Sequence, residues 1–183
     1  MAKNKIKLFC VLFAVACTGS AFANPVRDKV EQVYTAEIGV REKTGNNDGE
    51  RIEMYLKSTG LGKGYAWCAA FVTWTFQQAG IKTVRSAYSP DWFKKNVVYT
   101  RGETKQYIAK KGDVFGLYFP EKKRIAHVGF IHSQEGDYYI TVEGNTNQAG
   151  SREGDGVYKK RRPKRTIYKV ADYITCGYVG KRL

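Results

Sequence analysis

Four residues of this 183-residue chain have the types and the spacing to carry out nucleophilic acyl transfer: Cys68, His127, Glu143 and Asn145. Cys68 lies in the run Gly64-Tyr65-Ala66-Trp67-Cys68-Ala69-Ala70-Phe71-Val72, where a glycine-broken loop passes into an apolar stretch with helical spacing. A thiol at a helix start meets unpaired backbone N–H groups and the positive end of the helix dipole, and both favour the thiolate. His127 supplies a base, and Glu143 or Asn145 a group that holds the base in one orientation. Together they make the minimum set for a covalent acyl intermediate.

The pattern around these residues predicts helices first and strands second. A helix is expected from Pro25 to about Lys43, a second from Glu50 to Ser58 with Ile52, Tyr55 and Leu56 inward, and a third from about Trp67 to Gln78, stopped by Gly80. Ser89-Pro90-Asp91 marks a short helix start. Beyond Asp113, β-branched and aromatic residues between turn signals predict strands at Val114–Phe119, Val128–Ile131, Tyr138–Val142 and Gly177–Gly180. The fold class is α+β, with N-terminal helices packed on a small antiparallel sheet.

Strand parity selects between the two histidines. In an extended stretch from Ala126 to His132, His127 and His132 point to opposite faces, so one of them alone can meet the cysteine. With a hairpin connection centred near Glu135, His127 falls directly opposite Glu143, their Cβ atoms roughly 5 Å apart, and Asn145 lies one diagonal step away. The pairing depends on that loop count, because a one-residue slip reverses the faces.

The N-terminus reads as a signal peptide over residues 1–23: lysines at positions 3, 5 and 7, an apolar run from Leu8 to Ala16, and Ala21-Phe22-Ala23 before the cut. Residues 24–183 then form one catalytic domain, a monomer, secreted or periplasmic in the cell envelope. Lipoprotein anchoring through Cys17 is the alternative, disfavoured by Ala14 where a leucine is usual. No segment is long and apolar enough to span a bilayer. Cleavage would leave Cys68 and Cys176, and a bridge between them in the active protein would exclude the nucleophile reading.

The chain carries 31 basic and 17 acidic residues, and the excess persists beyond the signal peptide, which suggests polyanionic surroundings without naming a reaction. Its densest block, Lys159-Lys160-Arg161-Arg162-Pro163-Lys164-Arg165, reads by default as a solvated loop or strand edge. Lys160, Arg161 and Arg162 are candidate cations for holding a polyanionic polymer, and Trp67 and Trp92 candidate groove linings. No nucleic-acid partner is expected, since no stacking-aromatic motif accompanies the block. Asn46-Asn47-Asp48-Gly49-Glu50 lacks the spacing of a calcium loop, so no metal is expected, and the chemistry requires no cofactor.

Trp67-Cys68-Ala69-Ala70-Phe71-Val72, Lys111-Gly112-Asp113-Val114, Ala126-His127-Val128-Gly129 and Val142-Glu143-Gly144-Asn145 together resemble the CHAP family, cysteine- and histidine-dependent amidohydrolases/peptidases of the papain-like, NlpC-type superfamily. The resemblance implies a papain-like fold, with Cys68 as nucleophile, His127 as base, Glu143 as its orienter and Asn145 as a fourth polar member. It also implies a peptidoglycan amide as substrate, either the bond between N-acetylmuramic acid and L-alanine or one in the stem peptide or cross-bridge. The papain-like glutamine ahead of the cysteine is replaced by Gly62, which leaves Tyr65 as candidate oxyanion donor beside the Cys68 N–H. The competing reading is a non-catalytic peptidoglycan- or polyanion-binding envelope protein on the same fold.

Overall fold

The computed structural model describes residues 24–104, 107–149 and 154–175; the signal-peptide segment, Cys17, Cys176 and the expected strand at Gly177–Gly180 lie outside them. Among the described residues, three helices, α1 (Pro25–Ala36), α2 (Glu50–Ser58) and α3 (Cys68–Gln78), and a short 3₁₀ turn at Ser89–Phe93 precede a six-stranded sheet. Its strands are β1 (Val97–Thr100), β2 (Val114–Phe119), β3 (Arg124–Glu135), β4 (Tyr138–Thr146), β5 (Gly156–Pro163) and β6 (Lys169–Ala171). They lie in the order β1-β6-β2-β3-β4-β5 and every neighbouring pair is antiparallel. This is the expected α+β architecture.

Local chemistry fixes the helix ends. The Asn24 side chain accepts from the N–H groups of Val26 and Arg27, and Pro25 opens α1. That helix stops at Ala36, earlier than its apolar spacing predicts. The Glu37 carboxylate turns inward to Tyr55 and to Arg51 of α2, and Gly39 takes φ 100°, so Ile38 and Val40 belong to a loop. Helix α3 is buried from Cys68 through Phe76. A helix apolar on all sides needs cover on all sides. It ends in a paired closure, Gly80 N–H to Gln77 O and Ile81 N–H to Phe76 O, with Gly80 at positive φ.

Two apolar clusters occupy the two faces of the sheet. Val114, Val128, Phe130 and Val142 join the side chains of the three helices in one, and Phe115, Leu117, Ile131, Ile167 and Val170 form the other. The alternation of neighbouring residues between clusters is the period of a pleated strand covered on both sides. Arg27 of α1 is buried and ties the helical layer to the sheet, donating to Asp113 at 2.8 Å and Asp172 at 2.6 Å. The Lys111-Gly112-Asp113 motif therefore serves the framework.

The short strands β1 and β6 carry too little pattern to be predicted. Of the two default readings of the basic block, the structure takes the strand edge: Lys159 to Pro163 lie in β5, paired to β4 at the sheet edge, and Lys164 and Arg165 follow in a 3₁₀ turn.

Candidate active site

Cys68 is the first residue of α3, and Trp67 before it offers no side-chain cap to the N–H groups of that first turn. Gly144 explains how closely this helix start sits on β4: a Cβ there would lie 2.6 Å from the Trp67 ring and 2.9 Å from Phe71. The thiol is free, buried, and 3.5 Å from the Ser89 hydroxyl. Burial pushes its pKa up, but the His127 side chain, Ser89 and the Val128 backbone N–H outweigh burial and bring it down to about 7. Ser89 carried no sequence signal beyond its place at a helix start.

His127 and Glu143 meet, by a different route from the predicted one. The hairpin closes through the two residues Gly136 and Asp137, so Glu135 pairs with Tyr138 and Ser133 with Ile140. Carried further, that register would set Glu143 against Phe130, on the helix-covered face and away from His127. A bulge at His132 shifts the register by one, pairing Ile131 with Thr141 and Phe130 with Val142. His127 and Glu143 thereby share a face. They are not directly opposed, because the ladder between β3 and β4 ends at Phe130 and Val142. Beyond it Glu143 leans across Gly129, where a Cβ would lie 2.9 Å from the Glu143 Cγ, and its Oε2 stands 2.8 Å from His127 Nε2. With Nε2 so committed, Nδ1 is the nitrogen left for Cys68, with which His127 shares a hydrogen bond. Burial lowers the His127 pKa, but Cys68 and Glu143 outweigh it and raise it to about 9.

Glu143 is fully buried and its carboxylate is saturated. Besides His127 it accepts from Thr141 Oγ1 at 2.5 Å and from a two-pronged fork of Arg162, Nε to Oε1 and Nη2 to Oε2, both at 2.6 Å. Burial opposes ionisation, yet the fork and the imidazole hold the carboxyl far below the usual carboxylate range. Arg162, expected as a wall-binding cation, is thus a positioning residue beneath the histidine. Its neighbours divide by pleat. Lys160 lines the cleft and donates to the Asn147 carbonyl, whereas Arg161 projects outward over the Tyr138 ring.

The other expected site residues are placed differently. The Asn145 amide is committed elsewhere than to His127: at φ 53° it donates to Asn47 Oδ1 at 2.8 Å and approaches Glu42 Oε1 at 3.5 Å. The same Glu42 oxygen accepts the Trp67 indole N–H at 2.8 Å, so Asn145 braces the loop before α2 against the start of α3. Trp67 and Trp92 cannot line an open groove, since both are 0 % exposed. Trp67 packs on Tyr55, and Trp92 on Phe76 and Tyr173. Tyr65 is 56 % exposed, and the cleft is lined at that point by Ala66 and Cys68 instead. His132 points to α1, with Nδ1 3.2 Å from Glu31 and 3.3 Å from the Tyr34 hydroxyl.

Cys68 and His127 open into a cleft of about 200 Å³ lined also by Leu117, Phe119, Lys122 and Lys160. A larger groove of about 540 Å³, with Lys82, Asp91 and Lys94 on its walls, has no cysteine or histidine among its described lining residues. Polarised thiol, imidazole and locked carboxylate in sequence are the equipment of covalent acyl transfer. Residues 60–145 match the family model of the CHAP domain, a stretch that contains Cys68, His127 and Glu143, ends on Asn145 and stops short of Lys160 and Arg162. No curated protein and no solved structure matches the chain.

Proposed function

We propose that this chain uses its CHAP domain as a cysteine amidohydrolase that cleaves an amide bond of peptidoglycan through a thioester. The observation that carries the proposal is the continuous line Cys68, His127, Glu143, Arg162, with Glu143 buried behind the cleft that Cys68, His127 and Arg162 line. In this reading the Cys68 thiolate attacks the amide carbonyl carbon, and the tetrahedral oxyanion is met by the uncapped N–H groups at the start of α3. The His127 imidazolium gives its proton to the departing amine. Neutral His127 then takes a proton from water, whose oxygen attacks the thioester and releases Cys68. Export by a signal peptide at residues 1–23 and action as a monomer in the envelope belong to the same proposal.

Digestion of purified peptidoglycan followed by mass spectrometry of the soluble fragments tests it. New L-alanine amino termini would name an amidase, and new termini within the stem or bridge an endopeptidase; an amine in place of water on the acyl group would name a transpeptidase. Unchanged wall after incubation with folded protein overturns the proposal.

The pH profile is a second check. The thiolate–imidazolium pair exists above about 7, where Cys68 has lost its proton, and below about 9, where His127 still holds its own. The two values belong to the coupled pair. Measured as kcat/KM on a soluble fragment, turnover is expected to rise through pH 7 and to fall through pH 9. A profile flat from pH 6 to 10 contradicts the pair.

A further inference from the structure

The cleft beside Cys68 has a one-sided charge. Lys122, Lys160 and Arg162 line it, and among the described residues no carboxylate does. Counting charges shows which of them are already answered. Arg162 is matched by Glu143, at 2.6 Å through two bonds, and the imidazolium of His127 by the thiolate of Cys68. Lys160 and Lys122 remain. The Lys160 ammonium has the Asn147 carbonyl as a partner and feels Glu143 as a charge that Arg162 already answers, and the exposed Lys122 lies over the Phe119 ring, its Nζ 6.0 Å from the centroid. A partly buried ammonium facing a narrow cleft without a counter-ion is an electrostatically incomplete site, and an anion is what completes it.

We infer that Lys160 and Lys122 form a subsite for a carboxylate carried by the substrate next to the scissile amide. The inference rests on the reading of this chain as a peptidoglycan amidohydrolase, because stem peptides bear free carboxylates close to their amide bonds. It assigns to β5, outside the CHAP match, the choice among such amides. The pleat of β5 makes the assignment specific. Lys160 and Arg162 are two residues apart and share the cleft face, so one strand holds the histidine's carboxylate with one side chain and offers the substrate a cation with the other. Arg161 between them is directed away.

Two soluble muropeptides that differ only in one stem carboxylate, free in one and converted to a primary amide in the other, test the subsite. The free-carboxylate form is expected to be cleaved with a kcat/KM about tenfold higher or more, carried mainly by KM, as one charge-assisted contact allows. Lys160→Gln should bring the ratio close to one, and Lys160→Arg should restore it. Equal kcat/KM for the two forms, with turnover of both, overturns the subsite and leaves the amidohydrolase reading standing. A preference that survives Lys160→Gln combined with Lys122→Gln overturns it as well. If neither form is cleaved, the hydrolase reading falls, and titration of both muropeptides into the Cys68→Ala protein decides the subsite alone: tighter binding of the free carboxylate upholds it, and equal binding overturns it.

Discussion

A Cys68→Ala protein is expected to bind peptidoglycan fragments and to leave them uncut, with a loss of turnover on the order of 10⁶-fold, the scale seen when a covalent nucleophile is removed. The fold should survive. The substitution deletes one buried atom at the start of α3, where the backbone is held by the close contact of Trp67 and Phe71 with Gly144 and by the bond from Trp67 to Glu42. Loss of one buried atom costs about 1 kcal/mol, and the variant no longer has to bury a sulfur that carries charge. Thermal unfolding and a turnover assay on the same preparation separate the two effects. Wall lysis at a wild-type rate by a folded Cys68→Ala protein would eliminate the thioester. Ser89, 3.5 Å from the sulfur, then becomes the first group to test as an alternative nucleophile.

Glu143→Gln is expected to reduce kcat by about 10²–10⁴-fold, the range of a positioned acid–base function, and to do so far more than Asn145→Ala. The difference follows from contact. Glu143 reaches His127 Nε2 at 2.8 Å, while Asn145 is bonded to Asn47 and Glu42 instead. The glutamine keeps the shape of the side chain but removes the negative charge that favours imidazolium. His127 then gives up its proton more readily, so the alkaline limb of the pH profile moves down from about 9 while the limb near 7 loses the help of His127's charge and moves up. The active window narrows from both sides. Stability also falls, by about 1–3 kcal/mol, because Arg162 is left facing a neutral amide that cannot accept its whole fork. Activity is therefore compared per folded molecule. Equal losses for Glu143→Gln and Asn145→Ala, with an unmoved alkaline limb, would separate Glu143 from the chemistry.

The two residues expected beside His127, Glu143 and Asn145, show what kind of information a sequence carries. Glu143 was legible by strand parity combined with an assumed hairpin register, and the structure reaches the same face through a different turn and a bulge at His132. Asn145 passed the same parity test, yet its partner is Asn47, 98 positions away and on a loop whose path nothing local specifies. The tryptophans failed for a related reason. Composition marks Trp67 and Trp92 as ligand-stacking candidates and core residues alike, and burial by Tyr55, Phe76 and Tyr173 decides between the two.

By itself the sequence determined the short-range features: the thiol at the first position of an apolar helix, the helix stop at Gly80, the order of helices before strands, and the motifs that match the CHAP family model over residues 60–145. These follow from chain neighbours a few residues apart, whose geometry is set by backbone sterics and hydrogen bonding within one element. The tertiary structure alone decided the register, and with it the site. A two-residue turn at Gly136 and Asp137 would have put Glu143 on the wrong face, and the single extra residue at His132 put it back. It also split a run of like charges into an arginine that clamps Glu143, a lysine that faces the cleft, and an arginine stacked outside it. Side chains alternate every residue along a strand, so neighbours of one chemical type acquire opposite roles once the pleat is paired, and a one-residue shift in pairing reverses all of them.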